Sequence, residues 1–133
     1  MGSFTGQSRA KKIKNYINWF EIPVLNLQRA CTFYSHIFGI TMDINEMNEY
    51  AMALFPSENG IGGALVMGQG CSPSETGTLI YLNGGDDLNS ALLKVEEAGG
   101  RVIMEKTKIN DDAGYFALFI DTEGNKLALN SKN

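Results

Sequence analysis

Ala53, Leu54, Phe55, Gly60, Ala64 and Leu65 recur sixty-four positions on, as Ala117, Leu118, Phe119, Gly124, Ala128 and Leu129. Six identities in one ungapped frame mark an internal duplication, which restricts the chain to folds made of two like halves. The repeat continues upstream with a slightly smaller offset. Leu27, Ala30, Cys31 and Tyr34 correspond to Leu88, Ala91, Leu92 and Val95, and Gly39 corresponds to Gly100. Both sets fall at i, i+3, i+4 and i+7, the spacing that lines one face of a helix. Asn26 caps the first helix, Asp86 or Asp87 caps the second, and each ends at glycine, which enters the left-handed C′ conformation at little cost.

Each helix is preceded by one strand and followed by three. Tyr16 to Val24 is rich in aromatic and β-branched residues and predicts a strand, followed by a helix from Asn26 to Phe38. Strands are then expected at Ile40–Asn45, Tyr50–Phe55 and Gly63–Met67, with the turn cluster Pro56-Ser-Glu-Asn-Gly60 between the last two. Gly68 to Gly77 has linker composition. Beyond it the order restarts with strand Thr78–Asn83, helix Leu88–Ala98 and strands Arg101–Thr107, Tyr115–Ile120 and Lys126–Asn130. The fold class is therefore α+β, a tandem pair of βαβββ modules forming a curled mixed sheet. Residues 1–14 read as a flexible basic tail without an apolar signal region. Residues 15–133 read as one domain, with module one at about 15–67, a linker at 68–77 and module two at about 78–131.

A curled sheet with a helix on its convex side leaves its concave side uncovered, and two such sheets enclose a cleft between them. Strand alternation decides what lines it. On the first strand Phe20, Ile22 and Val24 suit the helix, which sends Trp19 and Glu21 to the cleft. On the fifth, Ile80 and Leu82 face the helix while Leu79, Tyr81 and Asn83 face the cleft. A one-residue slip would exchange these faces. Trp19 and Tyr81 suit stacking on a flat or cationic ligand, or simple filling of a core. Glu21 is the one candidate for a catalytic role, as a general base raised by desolvation, or else an anchor for a cation. The alternative is a strut between modules, paired with Lys106 or Lys126 or hydrogen-bonded to Tyr81.

Composition narrows the function classes. Eleven Lys and Arg face fifteen Asp and Glu. Without the four cations Arg9, Lys11, Lys12 and Lys14, seven remain against fifteen, a formal net of −8 that repels phosphate backbones and disfavours nucleic acid. No apolar run approaches membrane-spanning length. Cys31 lies on the buried helix stripe and Cys71 in a loop; two cysteines without a secretion signal point to reduced thiols in the cytoplasm. His36, the sole histidine, reads as a solvated residue on the convex side, so neither a Ser-His-Asp nor a Cys-His arrangement can be assembled. Gly62-Gly63, Gly68-x-Gly70 and Gly84-Gly85 lack the context of a phosphate cradle, and Asp86-Asp87 is explained by helix capping.

Trp19-Phe-Glu-Ile-Pro-Val24, Arg29-Ala, Phe33-Tyr34 leading to Phe38-Gly39, Ala98-Gly-Gly100 and Asp121-Thr-Glu-Gly-Asn-Lys126 together resemble the vicinal oxygen chelate superfamily, the group of glyoxalase I, bleomycin-resistance proteins and extradiol dioxygenases. The resemblance runs from Asn15 to Ser131. It implies the paired βαβββ fold, a homodimer, and a divalent metal held by His, Gln or Glu on the first, fourth, fifth and eighth strands. Here those positions hold Trp19, Ala64, Thr78 or Leu79, and Ala128, none a usual ligand for a transition metal. The expectation is a protein without metal cofactor that binds a small cationic or planar molecule in the cleft, through Trp19, Glu21, Tyr81 and Asn83. The alternatives are a metal-dependent lyase, isomerase or dioxygenase with non-standard ligands, and a non-catalytic accessory or interaction domain.

Overall fold

The computed structural model describes residues 10–133, and nine of the residues expected to form the N-terminal tail lie outside that range. Strand β1 (Trp19–Pro23), helix α1 (Leu27–Phe38) and strands β2 (Asp43–Met47), β3 (Tyr50–Phe55) and β4 (Gly62–Gly68) form module one. Module two repeats the order with β5 (Tyr81–Asn83), α2 (Leu88–Glu97), β6 (Arg101–Asn110), β7 (Gly114–Ile120) and β8 (Lys126–Ser131). Each module is one four-stranded mixed sheet, ordered β1-β4-β3-β2 and β5-β8-β7-β6. The first strand of each runs parallel to the last, while the other pairings are antiparallel. No helix among the described residues is long and apolar enough to cross a membrane.

The duplication is visible in the register itself. Ala53 lies opposite Leu65 and Leu54 opposite Ala64. In the other sheet Ala117 lies opposite Leu129 and Leu118 opposite Ala128. Local sequence explains both helix starts and the end of α1 as expected, whereas α2 is capped by Ala98 at φ −88° and the positive φ falls on Gly99, at 100°, rather than on Gly100. The Asn26 side chain accepts from the Arg29 amide at 3.0 Å, Asp87 accepts from the Asn89 amide at 3.1 Å, and Gly39 closes α1 in the left-handed region at φ 64°.

Several element ends differ from expectation. β1 begins at Trp19 rather than Tyr16, because its ladder partner β4 begins only at Gly62. β5 is reduced to three residues, since Thr78, Leu79 and Ile80 lie before its ladder with β8, which starts at Tyr81. β2 begins at Asp43, after a connection that uses Ile40 to Met42. β6 runs on to Asn110, and three register irregularities along it absorb the extra length against β7.

Both helices contribute their apolar stripes to one hydrophobic core that is shared by the two modules. Phe33 sits near its centre, 4.9 Å from the Tyr34 ring and 6.1 Å from Phe119 of the other module. The close approach requires Gly100, where a Cβ would stand 2.7 Å from the Phe33 ring. Burying an aromatic side chain of this size contributes about 1.5–3 kcal/mol, so the inter-module part of the core is a substantial share of a domain's net stability.

The β7–β8 turn adds a polar latch to this core. Glu123, buried, accepts from the Leu25 and Asn26 amides, both at 2.8 Å, and from Arg29 Nε at 2.7 Å and Nη2 at 3.0 Å. Tyr34 donates its hydroxyl to Asp121 Oδ2 at 2.7 Å, and Asn125 Nδ2 donates to the Pro23 carbonyl at 2.7 Å. Burial alone would raise the Glu123 carboxyl. The bonds from Arg29, Asn26, Thr122 and Leu25 outweigh it and hold the group below the usual carboxylate range. Tyr34, expected only as part of an apolar stripe, is thus also a hydrogen-bond donor across the module boundary.

Candidate functional site

β1 and β5 each form one edge of their sheets, and consecutive residues of both chain segments line a groove of about 1230 Å³. Neighbouring residues on a strand point to opposite faces, so a groove lined by successive ones meets the strand edge. Trp19, Glu21, Tyr81 and Asn83 all line it. With Leu79 they make up the five residues that strand alternation sends to the cleft, and all five share one cavity with Phe20, Ile80 and Leu82, which alternation sends to the helix.

The ladder fixes their relation. Glu21 lies opposite Ala64, and Tyr81 lies opposite Ala128. Because Ala64 and Ala128 are equivalent in the duplication, Glu21 and Tyr81 occupy equivalent places in the two modules. The offset from β1 to β5 is therefore sixty, against sixty-one between the helices. The one extra residue lies in the Asn83 to Asp87 turn, after the strand, so it does not exchange the faces of β5. Leu82 accordingly enters the core, while Tyr81 stays 52% exposed.

Trp19 is 48% exposed and packs against Gly62, where a Cβ would stand 3.3 Å from the indole. Its Nε1 donates to Glu21 Oε2 at 3.2 Å, which orients the carboxylate and leaves the other oxygen free of that bond. Tyr81 lies 6.1 Å from Phe116 at an interplanar angle of 44°, a ring contact that steadies it without covering it. Asn83 Oδ1 accepts from the Gly85 amide at 2.9 Å, so part of its capacity is spent on the turn that follows β5.

Glu21 is exposed rather than desolvated. Its cross-strand neighbour Ala64 and the adjacent Gly62 are too small to close over it, and the condition for a buried general base is not met. Among the described residues no ion pair within 4.0 Å involves Glu21, Lys106 or Lys126. Lys106 instead stands 4.5 Å from the centroid of the Tyr115 ring. His36 is not merely solvated, since its Nε2 lies 2.9 Å from Glu97 Oε1 and links α1 to α2. That partner comes from the other module and could not be read from the flanking sequence.

Phe38, Phe55 and Ile61 add apolar wall to the groove. Its charged lining is Glu21, Glu58, Asp86 and Asp87 against Lys94 alone. Four carboxylates facing one ammonium in a partly enclosed cavity favour a cation over an anion. Glu58, Lys94 and the α1 end were not anticipated as lining, because they approach only when the modules pack.

The positions that metal ligands would take do not supply donors. Ala64 and Ala128 are both fully buried and carry no heteroatom in their side chains. Trp19 offers an indole donor already bonded to Glu21, and neither Thr78 nor Leu79 is a transition-metal ligand of the usual kind. Among the described residues no three His, Cys, Asp or Glu side chains come together in a way that would hold an ion. The residues present do not fit a divalent metal at that place. The Cys31 thiol, pushed up by burial, is likewise no substitute donor.

A family model described as the Glyoxalase/Bleomycin resistance protein/Dioxygenase superfamily matches residues 16–129. A glyoxylase-like domain-containing protein of Didymella fabae is 28% identical over 123 residues, covering 85% of this chain and 91% of the relative. A glyoxylase/bleomycin resistance protein/dioxygenase domain from a Frankia species superposes with a TM-score of 0.69 at 14% identity, over 90% of this chain and 98% of that one. The trypanothione-dependent glyoxalase I of Leishmania major gives 0.66 at 15% identity, over 90% and 88%. At these identities the solved structures speak for the fold alone. The duplicated βαβββ architecture and the family match over nearly all described residues make this chain a member of the Glyoxalase/Bleomycin resistance protein/Dioxygenase superfamily.

Proposed function

We propose that this protein binds a small cationic or planar molecule in the groove between its modules, without a metal. The observation that carries the reading is the convergence of Trp19, Glu21, Tyr81 and Asn83 on one cavity whose charged lining is mainly acidic. Its volume of about 1230 Å³ exceeds the usual range for small-molecule sites, about 300–1,000 Å³, so a ligand of considerable size fits. Two half-exposed aromatic rings offer flat faces, and a carboxylate oriented by Trp19 offers a counter-charge. Metal independence is supported by donor chemistry, since alanines stand at two of the four family ligand positions.

A homodimer in the cytoplasm completes the proposal. It is supported by the exposed apolar side chains of the outer strands, Ile44 and Met47 on β2 and Ile103, Met104 and Ile109 on β6, and by the free thiols of Cys31 and Cys71. Light scattering coupled to size exclusion should return twice the chain mass of 14.5 kDa; a single chain mass would remove the dimer.

The test of the binding reading is a thermal-shift panel of cationic and planar compounds, run with and without divalent metals. At least one compound should stabilise the protein in chelator, and Trp19→Ala should weaken that compound by about tenfold through lost stacking. Stabilisation by a metal alone would overturn the proposal.

A further inference from the structure

A second, smaller cavity of about 230 Å³ opens beside the groove. Glu21, Thr78 and Ile80 line both spaces, so the small chamber lies at the side of the large one along these residues. Its volume lies below the range of about 300–1,000 Å³ for whole small-molecule ligands and matches a head group rather than a complete ligand. Besides Glu21, its lining carries one further charged residue, Lys126, together with Ser72, Ser74 and Thr78.

Lys126 begins β8 two residues before Ala128 and shares its face of the sheet, since Leu127 and Leu129 enter the core. Its backbone is held in place, because its amide donates to the Ser74 carbonyl at 3.1 Å and the Ser74 amide donates to Asn125 Oδ1 at 3.0 Å. The chamber wall is thus stitched to the polar latch rather than left to a free loop. An anion and a cation line one small chamber, yet among the described residues they form no ion pair within 4.0 Å, with each other or with any other side chain. A group carrying both charges would satisfy both at once, and a singly charged one would leave one of them unmatched.

We infer that the side chamber takes a zwitterionic head group of the α-amino-acid type, its ammonium on Glu21 and its carboxylate on Lys126. The ligand's larger apolar or aromatic body then lies in the groove along Trp19 and Tyr81. This rests on the proposed binding in the groove and assigns the chemical class of the ligand's polar end. Hydroxyls at Ser72 and Thr78 supply the remaining donors and acceptors that an ammonium and a carboxylate require once water is displaced.

Three probes sharing one indole ring separate the terms: L-tryptophan, tryptamine, which lacks the carboxylate, and indole-3-propionate, which lacks the ammonium. Calorimetric titration of the full chain should show L-tryptophan binding about tenfold tighter than either of the others, the value of one charge-assisted contact. Lys126→Met should abolish the advantage over tryptamine while leaving tryptamine within about twofold. Because the wild-type comparison needs no variant, a folding defect in Lys126→Met does not decide the matter. If tryptamine binds in a Trp19-dependent way and L-tryptophan binds no tighter, the head-group assignment falls and binding in the groove stands. If none of the three binds, the head-group assignment falls, and binding in the groove is decided by the compound panel.

Discussion

At the scale of single residues, the buried carboxylates of the β7–β8 turn carry most of the consequence. Tyr34→Phe removes only a hydroxyl, but it leaves Asp121 without the 2.7 Å bond it accepts inside the core. The expected cost is about 1–3 kcal/mol in urea unfolding, with ligand affinity unchanged because Tyr34 does not reach the groove. Glu123 makes stability depend on pH. In the unfolded chain a glutamate titrates near about 4.3, and in the folded protein this one is held lower. Its stabilisation is therefore complete above the unfolded value and is lost as pH falls through the lower, folded one. Urea midpoints measured down this acidic range should fall more steeply for the native protein than for Glu123→Gln. An equal slope would show that the latch does not discriminate the ionised form. Tyr34 illustrates what the sequence could not reveal: its place on the i, i+3, i+4, i+7 stripe is legible, but its polar partner stands eighty-seven residues away.

Between elements, glycine sets how closely strands and rings approach. At Gly63 a Cβ would stand 2.4 Å from the Phe20 ring, which itself packs 5.3 Å from Phe55. Gly63→Ala should therefore cost about 1–3 kcal/mol by overpacking. Gly60→Ala, in the preceding turn with its nearest neighbour 3.7 Å from the added carbon, should stay within about 0.5 kcal/mol. Equal effects in thermal or urea unfolding would contradict this account of β1 packing on β4. Most elements were legible because their signals are local: periodicity for α1 and α2, Asn26 and the Asp86-Asp87 pair for the caps, Gly39 for the end of α1. The exceptions were β1, β2, β5 and β6, whose limits are set by a partner strand. β5 shows this most plainly, since Thr78 and Leu79 have strand character but precede its ladder with β8.

For the molecule as a whole, the shared core and the latch predict that the modules unfold together. The single tryptophan, Trp19, reports on module one, whereas far-UV circular dichroism reports on both. Their urea transitions should coincide, as cooperative unfolding requires. Separate midpoints would mean that the contacts of Phe33 with Phe119 and of Arg29 with Glu123 do not couple the halves.

The sequence by itself determined the duplicated βαβββ order, the fold class and the alternation along the first strand. Those follow from periods of two and of 3.6 and from a repeated segment, all of which are properties of neighbouring residues. The metal-ligand positions, two of them alanines, were implied by the family resemblance rather than by these patterns. Only the tertiary structure decided that Trp19, Glu21, Tyr81 and Asn83 share one groove, that Glu21 stays exposed, and that Lys126 stands at the same side chamber without pairing to it. These depend on how two sheets and two helices pack across roughly a hundred residues of chain, and no local pattern encodes that distance.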